Sequence, residues 1–82
     1  MREECIEALI NMEREIEFQY RGEMYSITYW RDENNKFKVS CGKFNEDRAE
    51  FNEPYAVINH KIGGKTIQEI FAGLPDDAFA IF

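Results

Sequence analysis

Eighty-two residues, 44% of them hydrophobic and 15% aromatic, are too few for two packed cores and too aromatic for a disordered chain, so residues 1–82 read as one small domain. Sixteen acidic against ten basic residues leave a net charge of −6, split evenly as −3 in residues 1–41 and −3 in residues 42–82, which disfavours direct contact with nucleic acid or anionic membrane. No apolar run approaches the ~20 residues that span a bilayer, and Met1-Arg2-Glu3-Glu4 alternates charge where a secretory leader is basic and then apolar; a cytoplasmic protein is expected.

Ile6, Leu9 and Ile10 follow helical spacing, widened by Cys5 and Met12, and predict a helix over about residues 2–14. Its early glutamates suit the positive end of the helix dipole and Arg14 the negative end. At Glu15 the period falls to two. Ile16, Phe18 and Tyr20 alternate with Glu15, Glu17 and Gln19, the pattern of a half-buried strand. Tyr25, Ile27 and Tyr29 repeat it against Met24, Ser26, Thr28 and Trp30, and Arg21-Gly22 between the runs fits a two-residue hairpin turn with Gly supplying a positive φ. That turn pairs Tyr20 with Glu23, Phe18 with Tyr25 and Ile16 with Ile27.

A third run, Phe37, Val39 and Cys41 alternating with Lys36, Lys38 and Ser40, follows the polar loop Asp32-Glu33-Asn34-Asn35. A three-residue loop with Asn34 left-handed pairs Tyr29 with Phe37 and Ile27 with Val39; a register shifted by two keeps the same faces, and the pattern does not choose between them. The chain is then polar from Gly42 to Glu50. Pro54 suits the first turn of a short helix over 54–60 with Tyr55 and Ile58 on one side, although Tyr55-Ala56-Val57-Ile58 equally fits a strand. Gly63-Gly64 mark a turn. Thr66 with Glu69 three residues on is a capping-box signature ahead of Ile67, Ile70, Phe71 and Leu74, and Gly73 and Pro75 end that helix. Ala78–Phe82 is apolar enough to pack as a short strand or against the core.

Motifs with chemistry are scarce. Gly64-Lys65-Thr66 looks like the end of a phosphate loop, but Asn59 stands where the first Gly is required, and a turn plus helix cap explains the same residues. Asp32–Phe37 opens like a calcium loop and fails at Lys36 and Phe37, the latter where Gly must bend the chain. His60, Cys5 and Cys41 lack the spacing of a zinc site, and both cysteines fall on core faces where a thiol is inert, which also disfavours a Cys-His nucleophile. Glu15 and Glu17 share a strand face about 7 Å apart, without the concave setting that paired-acid chemistry needs. The expectation is a non-enzyme with no cofactor and no bound metal.

Alternation sends a second set of residues to the face opposite the core. Among them Trp30 and Met24 are the large apolar ones, flanked by Gln19, Thr28 and Lys38, and these five form a candidate interaction face because Trp is the residue most enriched at binding hot spots. Trp30 stacked under Lys36 or Lys38, or covered by the C-terminal segment, is the structural alternative.

Glu15–Gly22 with Tyr25-Ser26-Ile27, and later Lys61-Ile62-Gly63-Gly64-Lys65-Thr66-Ile67-Gln68-Glu69-Ile70-Phe71, resemble small uncharacterised proteins of Gram-positive bacteria and their mobile elements over about half the chain. The resemblance implies a fold and no established activity. The chain reads as α+β: an N-terminal helix packed on a three-stranded antiparallel β-meander, followed by one or two short helices on the same side. The function expected is a small acidic protein–protein interaction module, binding another protein or a second copy of itself. Alternatives are a mobile-element-encoded inhibitor or DNA mimic acting on a basic protein surface, and a small-ligand binder or enzyme with a site between the sheet and the late helices.

Overall fold

The computed structural model describes residues 2–43, 46 and 48–82. Helix α1 (Arg2–Asn11) is three residues shorter than its spacing predicts, because Met12 turns left-handed at φ 50°. The Met12 N–H donates to the Leu9 carbonyl (3.1 Å) and the Glu13 N–H to the Ala8 carbonyl (3.4 Å), the paired bonds of a Schellman ending. Arg14 therefore lies beyond the helix and, rather than serving its dipole, donates to the carbonyls of Ile81 and Phe82.

Strands β1 (Ile16–Tyr20) and β2 (Glu23–Arg31) pair antiparallel in the expected register. Both turn residues are left-handed, Arg21 at φ 52° and Gly22 at 76°, as a type I′ turn requires. β3 (Phe37–Lys43) takes the shifted register, with Tyr29 opposite Val39 and Ile27 opposite Cys41. Its loop has three residues, Glu33–Asn35, but the left-handed one is Asn35 (φ 62°) rather than Asn34. The cause is Asp32, whose Oδ1 accepts the Asn34 and Lys36 N–H groups at 2.9 and 3.0 Å and so sets the turn one residue later.

A fourth strand, β4 (Ala49–Phe51), was hidden by the polar composition around it and adds to β3 through Val39–Phe51 and Cys41–Ala49. Phe44, Asn45 and Asp47 of that polar stretch lie outside the described residues. Residues 54–58 are helical: α2 (Pro54–Ile58) buries Pro54, Val57 and Ile58, an i, i+3, i+4 stripe. Tyr55 sits one position off the stripe and is 56% exposed, so it does not share the side of Ile58. β5 (Lys61–Ile62) and β6 (Lys65–Thr66) form a small hairpin across Gly63-Gly64, both at positive φ. α3 (Ile67–Gly73) begins with the predicted capping box. Thr66 Oγ1 accepts from the Glu69 N–H at 3.1 Å and Glu69 Oε1 accepts from the Thr66 N–H at 3.0 Å. A 3-10 turn, Asp76–Ala78, leads into β7 (Phe79–Ile81), which pairs with β1.

The main sheet runs β4-β3-β2-β1-β7, every neighbour antiparallel. The three-stranded meander is thus its centre, widened by one short strand at each edge. The three α-helices share the inner face. There Leu9, Ile16, Phe18, Ile27, Val39, Val57, Ile67 and Phe71 exclude water. Phe18 stacks on Tyr25 (5.4 Å) and meets Phe71 edge-on (5.1 Å), and Phe71 meets Phe79 the same way (5.1 Å). The fold class is α+β, and among the described residues no helix is long and apolar enough to cross a membrane.

Candidate interaction face

Among the described residues the outer face of the sheet has no helix on it, yet part of it is dry. Register aligns Ala80, Glu17, Ser26 and Gly42 across β7, β1, β2 and β3, and carries Arg48, one residue before β4, opposite Gly42. Gly42 makes the close approach possible, since a Cβ there would stand 3.2 Å from the Arg48 Cα. The Arg48 side chain then crosses the sheet. Its Nε donates to Ser40 Oγ (3.0 Å), its Nη1 to the carbonyls of Gly42 (3.1 Å) and Lys43 (3.2 Å), and its Nη2 to those of Ser26 (2.7 Å) and Ser40 (3.4 Å). All five guanidinium protons are engaged, so Arg48 is a strap over the sheet rather than a site for an anion. Thr28 and Ser40 share a 2.8 Å hydroxyl bond beside it, and Ser26 and Ser40 are only 3% and 6% exposed.

The five residues singled out from the sequence fall at two ends of this face. Trp30, Thr28 and Lys38 adjoin at one end, where Trp30 opposes Lys38. Met24 and Gln19 oppose each other at the other, six residues along β2 from Trp30, or about 20 Å at strand rise. Ser26, Ser40 and the Arg48 strap lie between them, so the five do not make one continuous patch.

Trp30 is 36% exposed, and among the described residues no ring or cation stacks on it. Lys38 is drawn away from it. Its Nζ donates to Asn52 Oδ1 and lies 3.8 Å from Asp32 Oδ2. Asp32 is an effective partner because the backbone N–H of Lys36, aided by that of Asn34, holds its carboxyl below the usual range. On the opposite side of the same hairpin Arg31 lies over the Phe37 ring at 4.1 Å, and Phe37 is 40% exposed. The hairpin thus presents Trp, Arg and Phe beyond the helical layer.

A separate cleft of about 360 Å³ opens between the β2–β3–β4 end of the sheet and the β5–β6 hairpin, where Tyr25, Cys41, Lys43, His60 and Lys61 are among its walls. It brings His60 and Cys41 to one concavity, which their sequence separation gave no reason to expect. Cys41 is 1% exposed, however, and burial pushes its thiol up to about 12, leaving it protonated at neutral pH; burial likewise pushes Cys5 up to about 11. The His60 ring meets Phe51 edge-on at 5.2 Å. Gly64, Lys65 and Thr66 serve as turn and cap, and among the described residues no cluster of three His, Cys, Asp or Glu is placed to hold a metal ion. Glu17 stands on the outer face near its β7 edge, beside a shallow groove of about 100 Å³ shared with Gln19, Met24 and Asp77. Glu15, one residue before β1, instead lies near enough to inner-face Tyr29 to add to the burial that pushes that hydroxyl's pKa up.

Arg48 is the functional-face residue that sequence reasoning missed. The available signal was Gly42 inside a strand pattern, opposite hydroxyl-bearing Ser26 and next to Ser40, which marks a site of close approach by another segment. No family model matches the chain, and no curated protein or solved structure is significantly similar to it.

Proposed function

We propose that this chain is a non-catalytic protein–protein interaction module whose contact surface is the outer sheet face at its Trp30 end. The observation that carries the reading is Trp30 itself: a large aromatic side chain on the central strand of a rigid sheet, 36% exposed and not stacked by any described residue. A rigid strand holds the indole in one orientation before a partner arrives, so little ordering entropy opposes docking. Among the described residues no helical layer covers that side.

Two further observations favour this reading over its alternatives. The thiols of Cys5 and Cys41 are both driven toward their protonated forms by burial, which removes the strongest nucleophile candidates. On the outer face, Glu17, Asp32 and Glu50 are interspersed with Lys38 and Arg48, an arrangement unlike the one-sign stripe by which a DNA mimic occupies a basic groove.

The test is affinity capture from the native cell with the wild type and Trp30→Ala side by side. Partners held by the wild type should be lost from the variant, while a cooperative thermal transition shows that the variant still folds, because Trp30 lies outside the core cluster. Equal capture by both chains removes Trp30 from the contact.

A further inference from the structure

The alternation that builds the inner face breaks at one place. Phe37, Val39 and Cys41 fall on one face of β3, and the next position on that face is Lys43, directly opposite Tyr25 of β2. A lysine where the pattern reserves an apolar residue is a departure of the kind found at functional sites. Lys43 and Tyr25 belong to the sheet side of the cleft of about 360 Å³, and His60 and Lys61 to its β5–β6 side. That volume falls within the range of about 300–1,000 Å³ typical of small-molecule sites. The cleft lies on the opposite side of the sheet from Trp30, so it is a second site and goes beyond the proposed contact surface.

The polar groups of its walls are mostly donors without a partner. Tyr25 is 8% exposed and its hydroxyl bonds to no described residue, yet unlike that of Tyr20 it is not sealed from solvent. A buried hydroxyl is ordinarily paired within the protein; left open at a cleft, this one is available to a ligand. The His60 ring nitrogens and the Lys61 ammonium likewise bond to no described residue. His60 meets Phe51 edge-on, and Lys61 acts on Glu69 only through its field, since the Glu69 carboxylate is taken by the Thr66 N–H and hydroxyl. Lys43 stands 4.0 Å from Glu23, an exposed pair that leaves its ammonium largely uncommitted. Glu46 is the one carboxylate among the described lining residues. Behind the floor, burial pushes the Cys41 thiol up to about 12 and the charge of Arg48 works against that shift, so the Arg48 field reaches the cleft although its protons are spent on the far face.

The donor set selects the ligand. The lysines only donate, and Tyr25 and His60 can each donate a proton as well. Such walls suit a ligand rich in acceptors that carries more than one negative charge. A phosphate monoester, with three terminal oxygens and a charge of about −1.5 to −2, meets both needs, whereas a carboxylate brings two oxygens and a single charge. Ala49 and Ile62 add an apolar stretch of wall for carbon. We propose that the cleft binds a small organic phosphate, its phosphate group between Lys43 and Lys61 and its carbon body against Ala49 and Ile62.

Chemical-shift titration of the isotope-labelled full chain at constant ionic strength tests this with phenyl phosphate, benzoate and inorganic phosphate. Benzoate keeps the ring and exchanges the head; inorganic phosphate keeps the head and removes the ring. Phenyl phosphate should shift the amide signals of Lys43, His60 and Lys61 saturably, with a dissociation constant of about 0.1–1 mM. Benzoate should bind at least about tenfold more weakly and inorganic phosphate at least about threefold more weakly. Lys43→Gln and Lys61→Gln should each weaken phenyl phosphate by at least about fivefold. Tyr25→Phe keeps the stack on Phe18 and should cost about threefold or more through the hydroxyl alone. Lys36→Gln removes the same charge at the opposite hairpin and should leave the affinity within about twofold. The dispersion of each spectrum shows that the variant is folded. No saturable shift up to about 20 mM, shifts centred elsewhere, benzoate as tight as phenyl phosphate, or Lys36→Gln as damaging as Lys61→Gln overturns the inference. Inorganic phosphate as tight as phenyl phosphate overturns the organic body and keeps the phosphate site.

Discussion

The two faces of one sheet are dried by opposite chemistry. On the inner face Ile16, Phe18, Ile27, Val39 and Cys41 are at most 1% exposed because helices cover them and rings interlock. On the outer face Ser26 and Ser40 are nearly as buried, at 3% and 6%, under one guanidinium and a hydroxyl pair. Apolar burial is non-directional and scales with area, so the inner face can absorb an isosteric exchange. The outer face depends on named donors meeting named acceptors, and removing one group orphans several. A single strap also reaches only as far as its own side chain. It seals the Ser26–Gly42 middle of the outer face and leaves Trp30 and Met24 at the two ends partly exposed, which is how a small domain keeps a stable sheet and an accessible aromatic on the same strand.

The comparison can be broken from the inside first. Phe71 fills the space between Phe18 and Phe79, and Phe71→Ala should lower stability by about 3–5 kcal/mol in urea unfolding through lost burial and the cavity left behind. Arg48→Met tests the other face. It keeps much of the apolar stem but withdraws the donors from Ser26, Ser40, Gly42 and Lys43, and should cost about 1–3 kcal/mol; a loss under about 0.5 kcal/mol would mean the outer face is not held by the strap. Tyr20→Phe sharpens the same rule with the opposite sign. The Tyr20 hydroxyl is buried with no hydrogen-bond partner among the described residues, so deleting it should raise stability by about 1 kcal/mol.

The smallest effect belongs to acid. Asp32 and Glu69 both sit below their ordinary carboxyl values, 3.8 and 4.5, chiefly because the backbone N–H groups of Lys36 and Thr66 favour the charged form. The stability they add is complete above those ordinary values and is lost as pH falls through the lowered ones. Unfolding followed between pH 6 and pH 2 should therefore show a decline beginning near pH 4–5 that Asp32→Asn makes shallower.

How far the sequence reached follows from what each signal encodes. The first hairpin was legible to the residue because a two-residue turn fixes register, and the Thr66–Glu69 box because a helix cap is a local bond. The register of β3 was not, since alternation records the face and is blind to a shift of two; Asp32 decided it through bonds to the loop backbone. β4 escaped because three residues flanked by polar chain hold no period, and its pairing is with backbone. α1 read too long because Met12 has no sequence mark of a left-handed ending. For the face itself, alternation placed Trp30, Met24, Gln19, Thr28 and Lys38 on the outer side, but Arg48 reaches Ser26 across 22 residues, and no local pattern announces a contact of that length.

Trp30 is the chain's one tryptophan, so its fluorescence reports the central claim without interference. In dilute pure protein the account predicts a red-shifted emission open to acrylamide quenching, moving to shorter wavelength and becoming shielded when a captured partner is added. A blue-shifted, unquenchable emission already present in the dilute monomer would contradict it.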